Sequence, residues 1–109
     1  MELNLSKVKK KELYNLDMTL AKFILPRLKA YRKNPVGAPF IDNEDVPKKM
    51  RYKGELPDDG EVDEFFYARW DYVLGEMIHG FKGAIKNDSS DRTNNGLRLF
   101  GRYFRGLWQ

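Results

Sequence analysis

Positions 66 to 85 of the chain read FYARWDYVLGEMIHGFKGAI. Within this stretch Phe66, Trp70, Val73, Leu74, Met77, Ile78, Phe81 and Ile85 recur at spacings of three and four without a gap. Residues of an α-helix advance by about 100° each, so side chains spaced this way share one face. A half-buried strand would need strict alternation instead. The pattern predicts a helix from about Asp63 to Lys86 whose apolar arc spans about half its circumference. Other elements must cover that arc. Three helices leave part of it bare, so self-association into a homo-oligomer is expected.

Two further stretches supply covering elements. Asp17 is a suitable N-cap, because its carboxylate can accept from free backbone N–H groups. Leu20, Ile24, Leu28 and Tyr31 follow it at helical spacing, with Lys22, Lys29 and Lys33 on the opposite side. Pro26 lies in the middle, cannot donate to the Lys22 carbonyl and crowds it, so a kink is expected there. Ser6 is placed to cap a short helix through Asn15. At the other end, GLRLFGRYFRGLWQ begins a helix near Thr93 or Asn94. Its projection puts Leu97, Phe100, Phe104, Leu107 and Trp108 on a core face, and Arg98, Arg102 and Arg105 on an outer stripe. Gly101 falls at the edge of the core face, where a missing side chain would let a neighbouring helix approach.

Residues 34–61 carry four prolines and three glycines amid alternating charges, which argues against helix. Phe40 and Ile41 are expected to pin this connection to the core, and 48–54 to run extended. The chain has 109 residues, the size of one domain. The expected architecture over residues 1–109 is therefore all-α: a single helical domain of three to four helices, with a long irregular connection at about 34–61.

Composition narrows the chemistry. The absence of cysteine excludes disulfides, thiolate metal sites and thiol nucleophiles. His79 is the single histidine, and its place almost opposite Trp70 predicts an exposed position. The acidic clusters DNED and DD do not have the spacing of a calcium loop. No phosphate-binding glycine loop is present; Gly75, Gly80 and Gly83 fall within a helical pattern and are expected to serve close packing. No catalytic residue, metal site or cofactor is assigned. The N-terminal MELNLSKVKKKEL has charge without an apolar core, so no secretory leader is expected. No apolar run reaches the length of a membrane span. A net charge of +4 permits an anionic partner.

The candidate binding residues are cationic. Arg27 falls on the margin of the first helix's apolar face, where a guanidinium needs a partner. Either it pairs with Asp71 or Glu76 on the next helix, or it lines a pocket for an anionic ligand together with Lys22 and Lys29. Arg98, Arg102 and Arg105 form a second candidate surface, suited to phosphate through the guanidinium fork.

Three segments, LDMTLAKFILPRLKAYRK at 16–33, WDYVLGEMIHGF at 70–81 and GLRLFGRYFRGLW at 96–108, resemble in this order a family of small uncharacterised bacteriophage proteins. The chain departs from that pattern at His79, where the family carries a bulky aromatic, and across 34–61. The resemblance implies a viral origin and a place in the cytoplasm of the infected bacterial host, and it brings no activity with it. With the lack of catalytic groups, it leads to the expectation of a non-enzymatic phage accessory protein that counteracts host defence. Such a protein would bind and sequester a host protein or an anionic nucleotide-like signal. The alternatives are a nucleic-acid-binding regulator that uses the arginine stripe, and a virion or assembly component.

Overall fold

The computed structural model describes residues 7–54 and 62–108. Among them are four α-helices and no strand: α1 (Lys10–Leu13), α2 (Leu16–Lys33), α3 (Phe66–Ile85) and α4 (Asp91–Arg102), with short 3-10 turns at Asn43–Asp45, Lys48–Met50 and Phe104–Gly106. The protein is thus a small all-α bundle. The cap expected at Ser6 and the 55–61 part of the connection lie outside the described residues. Among the described residues no helix is long and apolar enough to cross a membrane.

Helix α2 begins two residues earlier than an Asp17 cap would place it. Asn15 adopts the left-handed conformation at φ 50°, which ends α1 and starts α2 at Leu16. Asp17 instead occupies the first turn, where a carboxylate still favours the helix N-terminus. The helix then continues through Pro26 to Lys33.

On α3 the apolar arc is covered within one chain. Trp70, Val73, Leu74, Met77, Ile78 and Phe81 are all buried. They pack between α2 and α4, with Ile41 and Val46 from the connection completing the core. The width of this arc therefore gives no reason for self-association. The connection supplies what a third helix could not, through Ile41 rather than Phe40, which is half exposed and stacks on Tyr52 at 5.6 Å. Where extended chain was expected at 48–54, a 3-10 turn spans Lys48–Met50.

Arg69 holds this connection in place. It is 0% exposed. Its Nε donates to the Met50 carbonyl at 2.6 Å, and its two terminal nitrogens donate to Asp63 at 2.7 and 2.5 Å. The guanidinium also lies 3.6 Å from the centre of the Tyr52 ring. A buried guanidinium is tolerated when its donors are satisfied and its charge is paired, and both conditions are met.

The turn between α3 and α4 has its backbone groups accounted for. Asn87 takes φ 57°. The Asp88 N–H then reaches the Gly83 carbonyl at 2.8 Å and the Asn87 N–H reaches that of Ala84 at 3.2 Å, which is the Schellman pattern of helix ends. Ser90 caps α4 by accepting from the Thr93 N–H, so α4 starts at Asp91, two residues before the predicted Thr93. Further along, a Cβ on Gly96 would lie 2.2 Å from the Glu76 carbonyl oxygen and 2.9 Å from the Gly80 Cα. The two glycines thus let the α3 and α4 backbones touch. Gly101, expected at a close approach, faces open space.

This crossing also sets the phase of α4. With Gly96 against α3, the buried line runs Thr93, Gly96, Leu99 and then Tyr103. Leu97, Phe100 and Leu107 pack at its edge. Phe104 and Trp108 are 58% and 54% exposed, contrary to the core position predicted for them. The reason is that α4 stops at Arg102 and the tighter 3-10 turn rotates the following residues off the helical projection. Tyr31 anchors the segment, its single hydroxyl proton lying between the carbonyls of Gly106 and Trp108 at 3.3 and 3.1 Å.

Candidate functional site

A cleft of about 490 Å³ opens along the seam between α2 and α3, lined by Lys29, Arg32, Lys33, Asp71, Ile78 and Lys82. Four cations thus surround one carboxylate. Lys29, Arg32 and Lys33 come together because they are spaced i, i+3 and i+4 at the C-terminal end of α2, where the helix dipole favours positive charge. Lys82 joins them from α3.

Arg32 is the organised member of the set. Its Nε and Nη2 donate to the two Asp71 oxygens at 3.0 and 3.2 Å. It rests directly on Gly75, where an added Cβ would lie 2.9 Å from Nη2. Gly75 therefore provides a seat on which the guanidinium lies against the backbone of α3. A guanidinium has five N–H donors in a fixed fork. Asp71 occupies the Nε–Nη2 edge of the fork.

On the far side of the Arg32–Asp71 pair lies a second cleft of about 480 Å³, reaching Met50, Tyr72, Glu76 and Arg92. Arg92 pairs with Glu76 at 3.1 and 2.9 Å, so positive and negative charges balance there. Burial, with Glu76 nearby, raises the Tyr72 pKa. The two clefts are similar in size, and only the first carries an excess of positive charge.

The residues singled out from the sequence fall in four different places. Lys29 lines the basic cleft, whereas Lys22 is exposed and lines none of these clefts. Arg27 pairs with neither Asp71 nor Glu76, since Arg32 and Arg92 take those carboxylates. It is exposed, donates to the Phe23 carbonyl at 2.8 Å and lies 3.6 Å from the centre of the Phe23 ring. Pro26 disrupts the helix bonding at this point, and the Arg27 side chain reaches the adjoining carbonyl. Arg27 also borders an apolar groove of about 250 Å³ with Phe23, Ile24, Tyr31, Phe100 and Leu107.

Two of the three α4 arginines are already engaged. Asp45, whose side chain is 2% exposed, accepts from Arg98 Nη2 at 2.6 Å and from the Tyr103 hydroxyl at 2.5 Å. Arg102 Nε lies 3.3 Å from the same carboxylate, and Arg102 Nη2 donates to Asp42 at 3.2 Å. Only Arg105 of the predicted stripe is exposed without an ion pair among the described residues. The acidic stretch at 42–45, which sequence spacing did not connect to α4, neutralises the stripe. His79 is half-buried rather than exposed, and its charge contributes slightly to lowering the Asp88 pKa, after hydrogen bonds from Thr93 and Ser90.

Arg32, Lys33 and Lys82 complete a site of which the candidate set contained Lys29 alone. The spacing of the first two around Lys29 is visible in the sequence; the arrival of Lys82 depends on how α3 packs. No known protein family, curated protein or solved structure matches this chain.

Proposed function

We propose that the protein is a non-enzymatic binding protein that holds an anionic, phosphate-bearing ligand in the basic cleft between α2 and α3. The observation that carries this reading is the convergence of Lys29, Arg32, Lys33 and Lys82 on one cleft, with Arg32 pre-oriented by Asp71 and Gly75. The guanidinium supplies planar two-point recognition of phosphate oxygens, and the three ammonium groups supply charge. The volume falls within the range usual for small-ligand sites, about 300–1,000 Å³. Taken with the resemblance to small phage proteins, the proposed role is that of an accessory protein in the cytoplasm of an infected bacterium. There it would sequester a nucleotide-like signal and so blunt a host defence. Nucleic-acid binding through α4 has weaker support, because Asp45 and Asp42 already occupy Arg98 and Arg102.

Calorimetric titration with pyrophosphate, ATP and a cyclic dinucleotide tests the reading. Binding of at least one of these should weaken steeply with salt, and Lys29→Gln with Lys82→Gln should abolish it while the melting temperature is kept. Gly75→Ala, which displaces Arg32 from its seat, should weaken binding as well. The reading is wrong if none of the three binds, or if binding is indifferent to these substitutions.

A further inference from the structure

The basic cleft and the charge-balanced cleft beside it share their dividing wall. Arg32 and Asp71 line both of them. The two side chains are 39% and 61% exposed, so the divider is a single ion pair at the surface, and a ligand can lie across it. On α3, Ile78 lines the basic cleft and Tyr72 lines the other. They are six positions apart, about 9 Å along the helix at 1.5 Å per residue, a distance that one small molecule bridges.

The second cleft differs from the first in what it can hold. Its charged groups pair internally, Arg32 with Asp71 and Arg92 with Glu76, so it offers no net charge to a second anion. Met50 and Ala68 contribute apolar surface to it. Tyr72 is half-buried there, and its hydroxyl forms no hydrogen bond among the described residues. A phenol with its hydroxyl unshared presents an apolar ring and a polar tip to the same ligand. The Glu76 oxygens each accept one bond from Arg92, and a carboxylate has about four acceptor positions. This cleft therefore suits an uncharged ring that carries hydrogen-bonding groups.

We propose that the two clefts form one site for a nucleoside phosphate, with its phosphates among Arg32 and the basic-cleft lysines and its nucleoside against Tyr72 and Glu76. An anionic chain joined to an uncharged, hydrogen-bonding ring is the two-part chemistry that this pair of clefts matches. The Arg32–Asp71 pair lies where the two parts of the ligand meet. The assignment rests on the anionic ligand proposed for the basic cleft and adds what separates that ligand from an inorganic phosphate.

Isothermal titration compares inorganic triphosphate, which occupies the basic cleft alone, with the four ribonucleoside triphosphates, and circular dichroism confirms that each variant stays helical. At least one nucleotide should bind more tightly than triphosphate by about tenfold, which corresponds to about two net hydrogen bonds. Ala68→Phe fills the second cleft from an exposed helix position. It should bring that nucleotide down to the affinity of triphosphate and leave triphosphate itself unchanged. Tyr72→Phe should weaken the nucleotide alone, by about two- to tenfold. Lys29→Gln should weaken both kinds of ligand. If no nucleotide exceeds triphosphate, or if nucleotide binding is indifferent to either substitution in the second cleft, that cleft is no part of the site and the reading of the basic cleft stands without it. If neither triphosphate nor any nucleotide binds, both fall together.

Discussion

The Tyr103 hydroxyl donates to Asp45 at 2.5 Å and at the same time accepts from the Asp42 N–H at 3.1 Å, joining the irregular connection to the end of α4. Burial, reinforced by the bond to Asp45, pushes the Tyr103 pKa up to about 12. An unfolded tyrosine loses its proton near 10, so between these values the folded state holds a proton that the unfolded state has lost. Stability should therefore fall as pH rises from about 10 to about 12. Burial alone would raise the Asp45 pKa, but hydrogen bonds from Tyr103 and Arg98 and the charges of Arg98 and Arg102 outweigh it and hold the carboxyl below its ordinary value. That contribution is present above pH about 3.9 and is lost as pH falls below it. Urea midpoints across the pH range should show both limbs. Tyr103→Phe should shrink the alkaline one, leaving the part that the raised Tyr72 pKa contributes, and cost about 1–3 kcal/mol at neutral pH by leaving Asp45 short of a donor.

Arg69 should be the least replaceable charged residue of the described chain. Arg69→Ala leaves the Met50 carbonyl without its donor and unpairs Asp63, whose side chain is 31% exposed, and losing hydrogen bonds in this way costs about 1–3 kcal/mol. Arg69→Lys should recover little, since one ammonium cannot reproduce the fork that serves Asp63 and Met50 together. Chemical denaturation decides; a midpoint unchanged in either variant contradicts the role assigned to this side chain.

Gly96→Ala and Gly101→Ala should have opposite signs. At Gly96 the new Cβ meets backbone at 2.2 Å, which only separation of α3 from α4 can relieve, at about 1–3 kcal/mol or more. At Gly101 it meets nothing within 4 Å, so the gain in helix propensity should stabilise by about 0.5–1 kcal/mol. Thermal melts of the two variants, measured side by side, check the assignment of the crossing point.

Arg98 and Arg105 should likewise separate. Arg98→Gln removes a charged donor from the buried Asp45 and should cost about 1–3 kcal/mol, whereas Arg105→Gln should stay within about 0.5 kcal/mol, as surface substitutions do. Equal effects in equilibrium unfolding would mean that the α4 arginines act as one exposed stripe.

Helical periodicity located α3 because eight apolar residues outvote any single exception. It was weaker on α4, where the glycine crossing, rather than the count of apolar residues, decides which face turns inward; Tyr103 is buried and Phe104 is not. The same limit explains why Arg69, and not Arg27, is the buried and paired arginine. The spacing puts Arg69 on one line with Phe65, Phe66 and Val73, which signals burial, yet its charge suggests solvent. Its partners Met50 and Asp63 come from a connection without periodicity, so nothing in the pattern of α3 announces them. For the basic cleft, Lys29, Arg32 and Lys33 are grouped by local spacing, while Lys82 enters only through the packing of two helices.

Because one guanidinium grips both Met50 and Asp63, the chain is fastened on either side of residues 51–62 independently of what joins those two points. The join between the connection and the start of α3 therefore rests on one side chain as well as on the covalent chain, and Arg69→Ala leaves only the covalent one.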